Sequence, residues 1–246
     1  MRDGSGEEPQ RFFFVHLQKT AGTALFMRIR DHFGARAVYP MPEYRTPATS
    51  LDVDALVSRF AEHRDEIRVV TGHFPLCAAE LLDVPFTTFT VLREPVERAL
   101  SFLRHQRKLV PEYHEASLEE IYADRLRRDL LLTNHMVRML SLVPEEMTEG
   151  ALTQVVVDDA RLERAKVNLA ERIDVMGVQE HFEEFCDELG ERFGWDLGDP
   201  RFANRTPPLD FSEELVEDIA RDNRMDAALY QFALDLRLSR RATATG

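Results

Sequence analysis

The sequence predicts an α/β fold with a central parallel sheet flanked by helices, and three observations predict it. Short β-rich runs alternate with helical patterns, the order that builds a parallel sheet covered on both faces. The apolar run Phe12-Phe13-Phe14-Val15 breaks into a short loop and passes at once into the helical pattern Ala24-Leu25-Phe26-Met27-Arg28-Ile29. Three strands end in polar tips: His16–Thr23, Gly72-His73 and Arg93-Glu94-Pro95. Ligands of such sheets bind beyond the carboxyl ends of the strands, so these three tips should meet in one crevice.

The elements follow in order. Phe12–Leu17 is the first strand, and residues Ala21 to about Phe33 form the first helix. Pro40, Pro42 and Pro47 mark a loop. Leu51 to about Glu66 reads as a helix with Leu51, Ala55, Leu56 and Phe60 on one face and Ser50 as its cap. Ile67–Thr71 is a short second strand, and Phe86–Leu92 is a third. Pro95 suits the first turn of a helix reaching Leu109, with Glu94 in its N-cap region. Leu118 to about Leu142 and Ala160–Arg172 read as helical, and Asp174–Val178 as a fourth buried strand. A helix from His181 to Phe193, a loop over Asp199–Pro208 and a helical terminus from Phe211 to about Arg240 complete the chain. The stripe Leu229, Phe232, Ala233, Leu236 should pack into the core, though it would also suit a homodimer face.

Composition narrows the function. The chain has 246 residues and a net charge of −13, which argues against a general nucleic-acid binder. Its 44% apolar and 30% charged residues are those of an ordinary globular protein. Cys77 and Cys186 are too few for a disulfide framework or a metal site and read as buried small hydrophobes. No apolar run approaches the ~20 residues needed to span a bilayer. Residues 1–10 read as a disordered leader without the apolar stretch of a signal peptide, and residues 11–240 as one domain, with a cytoplasmic location expected.

The first loop carries the chemistry. A strand, a tight loop and a helix N-terminus leave backbone N–H groups unpaired and place the positive end of the helix dipole at the loop. Lys19 adds a full charge, and Thr20 and Thr23 add hydroxyls. The only lysines are Lys19, Lys108 and Lys166, so this one stands out among arginines. The loop is not a Walker A motif, in which the lysine and hydroxyl follow the second glycine; here Lys19-Thr20 precedes Gly22.

The order Lys19-Thr20-Ala21-Gly22-Thr23 after a strand resembles the 5′-phosphosulfate-binding loop of the sulfotransferases, closest to the carbohydrate branch typified by heparan sulfate 2-O-sulfotransferase and its bacterial relatives. Gln18 stands where that family has proline, and Ala24 where it has serine, which removes one hydroxyl donor. A second block, Val91-Leu92-Arg93-Glu94-Pro95-Val96-Glu97-Arg98-Ala99-Leu100-Ser101, resembles the family's 3′-phosphate-binding element, implying that Arg93 and Ser101 hold that phosphate. Looser matches are Asn134–Leu140, which would bring Arg138 to the site, and Asn204-Arg205-Thr206, where the family folds a loop over the nucleotide. The resemblance implies a P-loop-like three-layer fold. It also implies 3′-phosphoadenosine 5′-phosphosulfate (PAPS) as donor, 3′-phosphoadenosine 5′-phosphate as product, and a hydroxyl acceptor on a sugar or glycoconjugate.

Sulfuryl transfer needs charge stabilised on the departing phosphate oxygen and a base for the acceptor hydroxyl. Lys19 suits the first role. His73 suits the second, since it follows Gly72 at a strand tip and Thr71-Gly72-His73-Phe74 resembles the family's catalytic segment. His16 would orient the loop, and His105, four residues after Ser101, would line the acceptor side. No metal is needed, because Lys19, Arg93 and backbone amides compensate the charge. Two alternatives stay open: a nucleotide phosphotransferase on the same loop architecture, and a non-catalytic nucleotide-binding protein.

Overall fold

The computed structural model describes residues 9–46, 48–198 and 210–244. Five strands form one sheet: β1 (Phe12–Val15), β2 (Val38–Tyr39), β3 (Val69–Gly72), β4 (Thr87–Leu92) and β5 (Val175–Val178). Their order is β2-β3-β1-β4-β5, and every pair runs parallel. This is the α/β architecture with a central parallel sheet flanked by helices.

Burial explains why β1 is apolar throughout. Alternate side chains of a strand point to opposite faces. Phe13 and Val15 join a cluster containing Val70, Leu92 and Met176, packed against Leu56 and Phe60 of helix α2 (Val53–Glu62) and Leu229 and Ala233 of helix α10 (Arg224–Ala244). Phe12 and Phe14 join the opposite cluster with Val69, Phe89 and Val91. There they meet Leu25 and Ile29 of α1 (Gly22–Phe33) and Phe185 and Leu189 of α8 (Phe182–Phe193). A strand with apolar residues on both faces needs helices on both faces, and it has them.

Between β4 and β5 lies a helical cap. It begins with α3 (Pro95–Leu109), whose entry is fixed as Glu94 accepts the Glu97 N–H at 2.7 Å and Pro95 opens the first turn. The segment expected as one helix over Leu118–Leu142 is three: α4 (Leu118–Tyr122), α5 (Arg125–Leu131) and α6 (His135–Ser141). Asp124 caps the second, and Asn134, in the left-handed region at φ 45°, turns the chain into the third. Helix α7 (Asp159–Glu171) then leads into β5.

Three further expectations are corrected. A fifth strand, β2, sits at the sheet edge where only a proline loop was expected; two residues are too few to show alternation. Helix α2 starts at Val53, not Leu51, because Asp52 rather than Ser50 caps it by accepting the Ala55 N–H at 2.9 Å. The C-terminal helix is two, α9 (Glu213–Asp222) and α10, broken at buried Asn223. That side chain donates to the Ile219 carbonyl and accepts the Asn134 N–H, locking the break against the cap. The leader over residues 1–8 and the loop over 199–209 lie outside the described residues.

Candidate active site

Chain direction reverses at the centre of the sheet: β1 leads outward to β2, whereas β4 leads the opposite way to β5. Neighbouring strands whose connections diverge open a crevice at their carboxyl ends. A cleft of about 880 Å³ lies there, a volume suited to a nucleotide-sized ligand.

The chain leaves β1 at His16 and makes a tight loop. The Leu17 N–H donates to the Val15 carbonyl at 3.1 Å, and the buried Thr20 hydroxyl donates to the Leu17 carbonyl at 2.8 Å. Thr20 is therefore spent stapling the loop, and its side chain lies beneath the cleft. Lys19 and Ala21 both adopt left-handed conformations, at φ 68° and 67°. Each such non-glycine residue costs about 1–3 kcal/mol, a strain concentrated at functional sites. The result turns successive N–H groups to one side, an anion-binding nest. No side chain caps α1, and Ala21, Gly22, Thr23 and Ala24 line the cleft with N–H groups that find no partner among the described residues.

Gly22 is required by a close approach. A Cβ there would lie 2.0 Å from Cδ2 and Nε2 of His16. The His16 ring is wedged beneath the helix start, stacked on Phe14 with centroids 5.1 Å apart and set 4.4 Å from the His73 ring. Burial above all, then the neighbouring His73 and Lys19, push the His16 pKa well below its ordinary value.

Positive charge collects at the loop. Lys19 has no carboxylate within ion-pair distance among the described residues. Burial, then Arg93 and Lys108, lower its pKa. Arg93, at the end of β4, donates from Nη1 to the Lys19 carbonyl at 3.2 Å and reaches Glu97 at 3.4 Å. Its Nε is buried without a partner. Burial lowers the Arg93 pKa, against the opposing pull of Glu97, Glu180 and Glu94. Two confined cations beside unpaired N–H groups form a site for a polyanion, despite the acidic whole.

His73 is held at two points. Its N–H donates to the Ser50 carbonyl at 2.7 Å, and its Nδ1 lies 3.0 Å from the His16 carbonyl. A carbonyl only accepts, so this contact assigns the proton to Nδ1 and leaves the Nε2 lone pair free. Burial is the main cause that lowers the His73 pKa, with Lys19 adding to it and the bond to the His16 carbonyl opposing it. The ring is thus a neutral base at pH 7.

The structure brings Lys19, Ala21, Gly22, Thr23, Arg93, Ser101, His16, His73 and His105 to one cleft. It does not bring Arg138 there. That side chain is buried under the helical cap, where it donates to the Asp129 carbonyl at 3.1 Å and to the Leu130 carbonyl. Asn204, Arg205 and Thr206 lie outside the described residues. Sequence reasoning missed Arg28, held bidentately by Glu183 at 2.9 and 3.0 Å, and the apolar lining of Leu51, Phe102, Leu131, Leu152 and Phe182. The helical spacing Ala24–Arg28 could have flagged the arginine; nothing local announces its partner 155 positions on.

No family model and no curated protein matches this chain. Among solved structures it is similar to a sulfotransferase from Alicyclobacillus acidocaldarius, with 18% identity and a TM-score of 0.47, over 90% of this chain and 96% of that one. So distant a likeness transfers neither residues nor activity. No helix among the described residues is long and apolar enough to cross a membrane.

Proposed function

We propose that the protein is a sulfotransferase that moves a sulfuryl group from PAPS to an acceptor hydroxyl, on the resemblance one carried by a sugar or glycoconjugate. One observation carries the reading: a confined cationic cradle, built from Lys19, Arg93 and unpaired loop N–H groups, shares a cleft with a histidine whose Nε2 lone pair is free. The motif resemblance in both blocks supports the identity of the donor, and the unpartnered Arg93 Nε and the glycine-dependent loop fit a phosphorylated nucleotide.

The donor supplies a sulfuryl group attached to a phosphate that leaves readily. The chain's own residues do the rest. His73 Nε2 takes the acceptor's proton as the new O–S bond forms and the S–O bond to phosphate breaks. Lys19 and the N–H groups of Gly22, Thr23 and Ala24 hold the negative charge that develops on the departing phosphate oxygen. Arg93 and Ser101 grip the 3′-phosphate, with Arg93 making the stronger, charge-assisted contact. Charge stabilisation and positioning supply most of the acceleration in such in-line transfers.

Calorimetric titration with 3′,5′-bisphosphoadenosine tests the reading, with 5′-AMP and magnesium-ATP as comparisons. The bisphosphate should bind at least about tenfold more tightly than 5′-AMP, the worth of one charge-assisted grip. Lys19→Ala should reduce turnover by ~10²–10³, the scale of one lost donor to a developing charge. Absence of binding by the bisphosphate would overturn the reading, and a preference for magnesium-ATP would favour a phosphotransferase.

A further inference from the structure

We infer that the acceptor is an uncharged molecule that presents its hydroxyl on an apolar body, rather than an anionic polysaccharide. This rests on the proposed transfer and narrows its acceptor. The cleft runs along the carboxyl edge of the sheet, from His73 after β3, past the β1 loop and Arg93 after β4, to Gln179 after β5. Its cations lie at the middle and far end. Lys19 and Arg93 belong to the cradle, and Arg28 is neutralised by Glu183.

The His73 end is built differently. Leu51 follows Ser50, the residue whose carbonyl fixes the His73 backbone. Leu152 closes a short 3-10 turn, Gly150–Leu152, that abuts the Leu51 backbone. Leu131 ends α5, which is tied to α3 where Arg98 donates to the Leu131 carbonyl at 3.4 Å, and Phe102 lies one turn further along α3. Leu51 and Leu152 therefore bring apolar side chains to the part of the cleft next to the base, while Phe102 and Leu131 add apolar lining on the α3 side. Lys19 is close enough to act on His73, but the cradle commits that charge to the donor.

An acceptor bearing carboxylate or sulfate groups would lose hydration here with no counter-charge beyond the lysine already given to the donor, and would sit next to a polyanionic donor. A neutral molecule with an apolar face gains from the same walls. His105 and Gln106 add polar contacts at the rim, enough to orient a hydroxyl.

The test is calorimetric binding to the protein already saturated with 3′,5′-bisphosphoadenosine. The probes are 2-naphthol, octyl glucoside and a glucuronate-containing tetrasaccharide. At least one neutral probe should bind about tenfold or more tightly than the tetrasaccharide, a discrimination of the size apolar pockets achieve. The two neutral probes separate an aromatic from an alkyl-glycoside body. Leu51→Gln and Leu152→Gln, at two partly exposed positions, should each weaken the preferred neutral probe about threefold to tenfold, with nucleotide affinity within about twofold of wild type. Equal or tighter binding of the tetrasaccharide overturns the inference, as do failure of both neutral probes to bind and indifference of both variants. Loss of nucleotide binding by the folded wild-type protein would instead sink the donor reading. The same probes titrated into the free protein then still decide the acceptor question.

Discussion

On the proposed reading His73 and Lys19 do opposite electrostatic jobs within one small space, and burial favours the neutral form of both, which suits the histidine and opposes the lysine. The histidine must be neutral to accept a proton, and its pKa is lowered below 6.5, chiefly by burial. The lysine must be charged, and its pKa is also lowered, by burial and by Arg93 and Lys108. The sign is definite for each. The acid limb of kcat/KM should lie below pH 6.5, where His73 gains its proton, and the alkaline limb should begin below pH 10.5, where Lys19 loses its own. His73→Ala should lose ~10²–10⁴ in rate and abolish the acid limb, while retaining nucleotide binding. A variant that kept the full rate would place the base elsewhere. His16 contributes differently: its carbonyl fixes the His73 tautomer and its ring fills the space that Gly22 leaves.

Among the elements, the junction of α6 with α10 is tied together by one buried carboxylate. Asp226, fully buried on α10, accepts the N–H groups of Met136 and Val137 at 3.0 and 2.9 Å and so caps α6 from another helix. It also sits 4.0 Å from the fully buried guanidinium of Arg98. Burial raises the Asp226 pKa, with Arg98 and the two N–H groups pulling the other way. Asp226→Ala would strand both the helix end and the arginine, and should cost about 3–5 kcal/mol in urea unfolding at neutral pH. A loss below about 1 kcal/mol would show that Arg98 is satisfied by the Leu131 and Leu132 carbonyls alone. This junction also marks where the sequence stopped being legible. The strands of β1, β3, β4 and β5 announce themselves by apolar runs, and the cradle by its order of lysine, threonine and glycine. The breaks at Asn134 and Asn223 do not, because each asparagine acts through a partner about ninety positions away. Arg138 matched a family pattern by sequence yet turns into the cap, since local spacing says nothing of which way a buried side chain faces. The apolar lining of the cleft was hidden for the same reason: Leu51, Leu131 and Leu152 come to one cleft only after folding.

At the scale of the molecule, acid should be the weak side of stability. His16, His73 and His135 all have pKa values lowered by burial. The unfolded chain, with ordinary histidines near 6.5, therefore takes up protons first as pH falls. The stabilisation is complete above about pH 6.5 and is lost as pH falls through the lower folded values. The melting temperature should drop steadily from pH 7 to pH 5, and His135→Phe should flatten that slope; a flat profile in the parent protein would contradict it. Finally, the Arg93–Lys19 hydrogen bond joins two strand ends that are 74 positions apart in the chain. On the proposed reading it couples the two phosphate grips, so their separation is set by the sheet and not by the ligand. The cleft then works as a caliper of fixed gap. It would reject a nucleotide whose phosphates are spaced differently, however many charges that nucleotide brings.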